Sequence, residues 1–386
     1  MAAETPTGPT SPGERPERRV TLLTVANEVG VSRTTVSNAY SRPDQLTREL
    51  RDRIMDAAAR LGYRGPSAAG RLLRTGRVGT LGLVFTDDLG FVFSDPNTTL
   101  FMRGVAEATA AAHVGLTLLP IPRDTGPADR VRDLALLNTP VDGYIVFSIA
   151  DTHPVFEELL ARDVPLAVID EPDPGDRCAF VGVDDREGAR QIAAHIAELG
   201  HTRVAVLAHR LTDTPTRRPV THDELASAPL RVARQRYAGY LDGLGPDIEV
   251  CALWEAGELT TDAGRAAGAE LYRAHPDVTA ILCMTDQLAI GTCQALERMG
   301  VDVPSDVSVA GFDDIPRAAL WSPGLTTMRQ PLLEKGRIAA SMLLNQVEGV
   351  DEPGPTRIEL PIRLVVRAST GPVSSAAPAS SPPPSR

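Results

Sequence analysis

Arg33, Thr34, Ser37 and Asn38 line one face of the stretch Ser32–Tyr40, and Val36, Ala39 and Tyr40 line the other. The polar set suits nucleic acid. A guanidinium can hold O6 and N7 of guanine with two parallel hydrogen bonds, a carboxamide can do the same for N6 and N7 of adenine, and a threonine can bond a base edge or touch a thymine methyl. Serine hydroxyls such as those of Ser32 and Ser37 more often reach phosphate oxygens. Such side chains need a short rigid helix beneath them, and the preceding residues provide its support. Leu22, Val25, Ala26 and Val29 fall at i, i+3, i+4 and i+7 of a first helix. Thr21 is placed to cap it, Gly30 to turn the chain, and Ser32 to cap the second helix. Two short helices around a glycine turn, the second polar on its outer face, match a helix-turn-helix. An ordinary helical hairpin fits the same twenty residues.

The charge distribution bears on that choice. The chain has 386 residues and a formal net charge of −11, a poor match to a polyanion partner. Residues 18–77, however, hold twelve arginines against five acids (Glu28, Asp44, Glu49, Asp52, Asp56), a formal +7 that leaves −18 on the remainder. A basic head on an acidic body is the electrostatic footprint of polyanion binding with the body repelled. Thr47 is placed to cap a third helix with Leu50, Ile54, Ala57, Ala58 and Leu61 on one stripe, closed by Gly62. Three helices in about 45 residues make a very small core. The next stretch, residues 65–77, predicts a turn or two of helix too short to stand alone in water.

From Val78 the pattern changes. Strand-like runs at Thr80–Phe85, Leu116–Leu119, Gly143–Phe147, Leu166–Ile169, Val204–Leu207, Ala280–Met284 and Val307–Ala310 alternate with helical stretches at 98–112, 127–137, 154–162, 186–199, 231–243, 262–274, 286–299 and 333–347. Alternation of this kind predicts an α/β body with parallel sheets covered by helices on both faces. The strand count suits two doubly wound lobes with a cleft between them, and ligands in such folds sit beyond the carboxyl ends of the strands. Asp170 ends one strand and Asp286 opens the helix after another. Together with Arg236 they would offer directional hydrogen bonds to a hydroxyl-rich or carboxylated ligand.

Other features bound the function. No apolar run approaches the ~20 residues of a membrane span, and residues 1–19 carry no apolar segment of a secretory signal. Cys178, Cys251, Cys283 and Cys293 are scattered without metal-ligand spacing and are expected as buried free thiols of a cytoplasmic protein. No Ser/His/Asp order, phosphate loop or metal constellation is present, so no enzyme, cofactor or metal is expected. Asp184-Asp185 is expected as a solvated strand end, His209 and His222 as solvent histidines, and 209–229 as a mobile insertion. Residues 1–17 and 368–386 are expected as disordered tails.

Taken in order, several motifs resemble the LacI/GalR family of bacterial transcription regulators over about residues 18–367. They are Thr21–Ser37, Leu61-Gly-Tyr63, Leu73-Arg-Thr-Gly-Arg77, Gly200-His201, Arg236-Tyr-Ala-Gly-Tyr240, Asp286-Gln-Leu-Ala-Ile-Gly291, Val303-Pro304, Gly311-Phe-Asp-Asp314 and Leu325-Thr-Thr-Met-Arg-Gln330. The resemblance implies an N-terminal three-helix headpiece (18–64), a hinge helix (65–77) and a periplasmic-binding-protein-like effector and dimerisation body (78–367). The body is expected as lobe one, 78–180 and 305–332, and lobe two, 182–303 and 333–367. It implies base contacts by Arg33, Thr34 and Asn38, phosphate contacts by Ser32 and Ser37, and a minor-groove hinge contact by Leu73 and Arg74, with Leu72 as rival wedge. It also places Asp170, Arg236 and Asp286 at the effector. Leu259 stands where a stacking aromatic is common, and Phe91 and Phe93, in a long loop, are candidates to replace it. Asp313-Asp314 is expected to order the lobe crossover.

The implied protein is a homodimeric DNA-binding regulator, a repressor controlled by a small cytosolic effector such as a sugar. Its partners are operator DNA and the effector, with no membrane. Control by a protein co-repressor is the alternative, as is a solute-binding protein sharing the two lobes; the basic head argues against the latter.

Overall fold

The computed structural model describes residues 20–65, 76–123, 137–162, 164–212, 214, 216–349 and 356–373. The chain divides into two compact units, Met1–Val78 and Gly79–Arg386.

Among its described residues the first unit holds three helices, α1 (Leu22–Val29), α2 (Arg33–Ser41) and α3 (Arg48–Leu61), with a 3-10 turn at Pro43–Gln45. The stops and starts are local. Gly30 and Gly62 adopt the left-handed conformation (φ 74° and 73°) that ends α1 and α3. Ser32 Oγ accepts the Thr35 N–H at 3.0 Å, and Thr47 Oγ1 accepts the Leu50 N–H at 3.3 Å. The core consists of seven buried side chains: Val25, Ala26, Val36, Ala39, Ile54, Ala57 and Ala58. All were placed on apolar faces by periodicity.

The second unit carries two sheets. In chain order the strands are β1 (Thr80–Phe85), β2 (Gly115–Pro120), β3 (Tyr144–Phe147), β4 (Leu166–Ile169), β5 (Ala179–Val183), β6 (Arg203–Ala208), β7 (Arg218–Pro219), β8 (Glu249–Glu255), β9 (Ala280–Cys283), β10 (Ser308–Asp313), β11 (Thr326–Arg329), β12 (Arg357–Leu360) and β13 (Arg363–Val365). Lobe one has the order β12-β5-β4-β3-β1-β2, parallel throughout. Lobe two has the order β13-β11-β10-β9-β6-β8-β7, parallel except for the antiparallel edges β13 and β7. Central strands such as Leu166–Ile169 and Ala280–Cys283 are buried along their whole length, as parallel strands covered on both faces must be.

The two-lobe architecture holds, but the partition of the C-terminal third is reversed. β10 pairs with β9 and β11 with β10, so residues 308–329 belong to lobe two. Helix Leu332–Glu348 packs against helix Pro96–Ala111 and strands β3, β4 and β5, so it belongs to lobe one. β12 returns to lobe one and β13 to lobe two. The chain thus crosses between lobes after Val183, after Arg329 and after Leu360. Which sheet a strand joins is decided by long-range pairing, to which local pattern is blind.

Three further expectations change. Residues 368–373 are no tail: Ser369 is fully buried, accepting the Thr326 N–H at 2.8 Å and donating to the Val309 carbonyl at 2.6 Å. The stretch 209–229 holds β7 and helix His222–Ala226, and it buries Leu211 and Leu225 in the lobe-two core. The loop after β1 contains helix Leu89–Ser94. The helix expected at 127–137 and the tail at 1–17 fall outside the described residues, apart from Leu137. Among the described residues, no helix is long and apolar enough to cross a membrane.

Candidate functional site

On the first unit, α2 presents Arg33 and Thr34 to solvent while Val36 and Ala39 anchor it. Asn38 is half-buried, and its Nδ2 donates to Gln45 Oε1 at 3.4 Å. Ser32 serves first as the cap of α2, and its hydroxyl also meets Thr35 Oγ1 at 2.8 Å. Arg33, Thr34 and Asn38 thus sit within the first two turns of an outward-facing helix, where recognition-helix contacts to base edges are made. Leu73, Arg74 and the rival wedge Leu72 lie outside the described residues.

In the second unit a cavity of about 100 Å³ lies between the two lobes, room for roughly seven to ten waters at 10–15 Å³ each. Its wall is built from strand ends. Asp87 follows β1, Ser148 follows β3, Asp170 and Glu171 follow β4, His209 and Arg210 follow β6, Thr285 follows β9, and Asp313 ends β10. In each sheet, strand order reverses next to a central strand, at β1/β3 and at β6/β9, and such switch points open a crevice beyond the carboxyl ends. Backbone strain marks the same place. Ser148, Asp170, Asp313 and Asp314 have φ of 51°, 61°, 121° and 53°, although none is glycine. Non-glycine residues held there cluster at ligand sites, because the surrounding structure must over-determine them.

Side chains cross the cleft. Arg210 donates to both oxygens of Asp87, at 2.7 and 3.3 Å. Arg123 bonds Asp87 as well and reaches Glu258 of lobe two at 3.3 Å. Asn97 Nδ2 donates to Asp313 Oδ2 at 2.5 Å, and Gln287 Nε2 donates to Asp95 Oδ1 at 3.3 Å. Burial would raise Asp87, but the guanidiniums of Arg210 and Arg123 outweigh it and hold the carboxyl below its usual range. Burial raises Asp95, which is bonded by Thr98 and Gln287 and, among the described residues, by no cation. His209 is buried against the cationic Arg236 and Arg210, and desolvation pushes it down to about 3, so it is neutral. With Nδ1 donating to the Arg210 carbonyl at 2.7 Å, its Nε2 is the acceptor nitrogen.

Arg236 is the cation at the base of lobe two. Its Nε donates to Asp185 at 2.8 Å, Nη1 donates to the Met284 carbonyl and lies 3.6 Å from Asp313, and the guanidinium stacks 3.7 Å from the Phe312 ring centre. This requires helix Arg231–Leu244 to lie hard against helix Asp185–Glu198. Gly239 permits it: a Cβ there would sit 2.1 Å from the Arg186 carbonyl oxygen. On lobe one, Lys335 bonds Asp170 at 2.6 and 2.9 Å and Gln330 at 2.5 Å, and Gln330 in turn donates to Asp313 at 2.6 Å.

The expected effector residues separate into two groups. Asp170, Arg236, Leu259 and Phe91 line the cavity. Phe93 does not and is 61% exposed, next to the buried Val92 on helix Leu89–Ser94. Asp286 does not line it either. Its carboxylate is buried behind the wall, accepting Thr327 Oγ1 at 2.5 Å and the Ile315 N–H at 2.8 Å; the residue before it, Thr285, faces the cavity. Burial and the neighbouring Asp313 push Asp286 well above the carboxylate range. Two bland expectations are corrected: His209 lines the cavity, and Asp185 is a buried partner of Arg236. Asp313 accepts from Gln330 at the lobe crossover and also faces the cavity. Glu171, Arg210, Asp95 and Asp87 escaped sequence reading, because polar residues just after short apolar runs look like ordinary loop residues. His222 is exposed and bonds the Tyr237 hydroxyl.

Residues 21–65 match the family model of bacterial regulatory proteins, lacI family, and residues 193–370 match a periplasmic binding protein-like domain. An HTH-type transcriptional regulator of Mycobacterium tuberculosis is 38% identical over 332 residues, spanning 85% of this chain and 91% of the relative. Among solved structures, a LacI-family regulator from Corynebacterium glutamicum has a TM-score of 0.69 at 30% identity, covering 93% of this chain and all of that one. The complex of the regulator CelR with cellobiose has a TM-score of 0.65 at 27% identity, covering 91% and 100% of the two chains.

Proposed function

The chain belongs to the LacI family of bacterial regulatory proteins and is a transcriptional regulator, not an enzyme; from that premise we propose that it is a repressor, acting as a cytoplasmic homodimer on a palindromic operator and controlled by a small hydroxyl-bearing effector held between the lobes of its body. The observation that carries this reading is the cavity at the facing strand ends, where charged and polar side chains stand among apolar ones such as Phe91 and Leu259, on a chain whose first unit presents Arg33, Thr34 and Asn38 from one outward helix. Arg33 and Asn38 take base edges, with Thr34 beside them. Ser32 and Ser37 hold phosphates, and Leu73 with Arg74 forms the minor-groove contact of the hinge. In the body, Asp170, Arg236, Leu259 and Phe91 contact the effector, together with Arg210, Asp313 and the neutral His209.

Closure of the lobes around the effector changes the spacing of the paired hinges and so the affinity for DNA, a coupling of two sites through one equilibrium. A side-chain-lined cavity between the lobes favours a metabolite over a protein co-repressor, whose contact would be a surface. CelR, in its complex with cellobiose, shows a sugar in a regulator of this fold. The domain limits are proposed as 18–64 for the headpiece, 65–77 for the hinge and 78 to about 373 for the body.

The test uses the full chain. DNA selected by it from a random pool is sequenced, and the selected site is then titrated with sugars, nucleosides and small acids while bound DNA is followed. A palindromic consensus released by one hydroxyl-rich compound is expected. Selection without a consensus overturns the operator reading, and release by acids alone overturns the effector class.

A further inference from the structure

Helix Arg231–Leu244 starts without a capping side chain of its own: Leu230 occupies the cap position and has none to offer. An uncapped first turn leaves backbone N–H groups without partners. The Val232 N–H is met from the opposite lobe, donating at 3.0 Å to Oε2 of Glu171, two residues beyond β4. The other carboxyl oxygen, Oε1, lies 2.6 Å from Ser148 Oγ, in the strained position after β3. Glu171 is 1% exposed. The charged and titratable groups around it are His209 and Arg210 after β6, Asp170 beside it, and Arg231 and Arg236 on the capped helix. Each cation is engaged elsewhere: Arg210 with Asp87, Arg231 with the Asp170 carbonyl, Arg236 with Asp185. Among the described residues, no cation bonds the Glu171 carboxyl.

We propose that Glu171 is a positioning residue that caps the Arg236-bearing helix from across the cleft, so that closure of the lobes and uptake of a proton at this carboxyl are one event. The proposal rests on the reading of the cleft as the effector site, which Arg236 faces from the second turn of that helix. Parting the lobes places Glu171 in water and uncovers the helix start. Closing them takes the carboxyl out of water with two hydrogen bonds and, among the described residues, no cation bonded to it, Arg210 acting only from a distance. Both bonds survive protonation, because the acid can donate to Ser148 Oγ while Oε2 still accepts from Val232.

Burial pushes Glu171 up to about 7 from an ordinary 4.5. A group raised in the closed state favours closure fully below its ordinary value, and that contribution is lost as pH rises through 7. With these two values, the closing equilibrium falls about tenfold between about pH 6 and about pH 8.

Hydrogen exchange on the full chain, with neither DNA nor effector and corrected for intrinsic rates, reads this directly. Protection of residues 231–236 should fall about tenfold across that range in the wild type, while strands β9 and β10 stay constant. E171Q, whose amide can keep both bonds but cannot titrate, should be flat, and E171A should lose the protection at every pH. A wild-type profile as flat as that of E171Q, or full protection in E171A, overturns the proposal. Should E171A fail to fold, the slope difference between wild type and E171Q decides alone. No DNA or effector enters the readout, so failure here leaves the operator and effector tests untouched and is told apart from their failure.

Discussion

Replacing Arg236 by methionine keeps most of the side chain's volume and removes its charge, with consequences that can be worked from its surroundings. The guanidinium is 5% exposed and compensates two buried carboxylates, Asp185 at 2.8 Å and Asp313 at 3.6 Å. It also serves the Met284 carbonyl. Removing one partner of a buried ion pair costs about 3–5 kcal/mol, because the other charge stays buried and uncompensated. The stacking on Phe312 falls within that figure and is not added to it. The loss depends on pH. Burial raises Asp313 to about 6 even with Arg236 opposing it, so removing the arginine raises it further. Below that value the carboxyl is neutral in both proteins and the missing cation matters less; above it the variant must bury a bare charge or hold a proton. The deficit should therefore be near its full value at about pH 8 and shrink toward about pH 5. Urea unfolding of wild type and variant at both ends, followed by far-ultraviolet circular dichroism, measures it. A deficit below about 1 kcal/mol at the alkaline end, the level of an exposed pair, would refute the reasoning. So would one that does not change with pH.

Arg33→Ala should weaken binding to the selected operator by about 1–3 kcal/mol while leaving bulk DNA binding nearly unchanged; fluorescence anisotropy with both DNAs checks this, and equal losses would remove Arg33 from base readout. Operator affinity should fall steeply and linearly in log–log form as salt is raised, since the first unit carries the positive excess; a flat titration contradicts it. Thr47→Ala removes the cap of α3 and should cost the headpiece about 1 kcal/mol in thermal unfolding. Gly239→Ala drives a methyl to 2.1 Å from the Arg186 carbonyl, forcing apart the helices that join Arg236 to Asp185. About 1–3 kcal/mol of stability should be lost, and an unchanged melting temperature would show that the helices can separate without loss.

Much of the headpiece was legible in the sequence because its determinants are local. The apolar spacing of Leu22, Val25, Ala26 and Val29, the caps Ser32 and Thr47, and the turn glycines Gly30 and Gly62 act within four residues of one another, and each appears where the pattern puts it. The alternation of apolar strands with amphipathic helices likewise determined the α/β body, since it records which residues are covered on both faces. Lobe membership was not legible. Residues 308–329 and 332–348 exchange places relative to expectation because the pairing of β10 with β9 and the packing of helix Leu332–Glu348 on the distant helix Pro96–Ala111 leave no local periodicity. The cleft was half legible. Asp170 and Arg236 stand at recognisable strand and helix positions, but whether a side chain faces the cavity or the core turns on a single step along the backbone, and that step put Thr285 in the wall and Asp286 behind it. Glu171, Arg210 and His209 became visible only when two sheets met. Their chemistry comes from burial and, for Glu171 and Arg210, from partners on the opposite lobe, and both are properties of the tertiary structure alone.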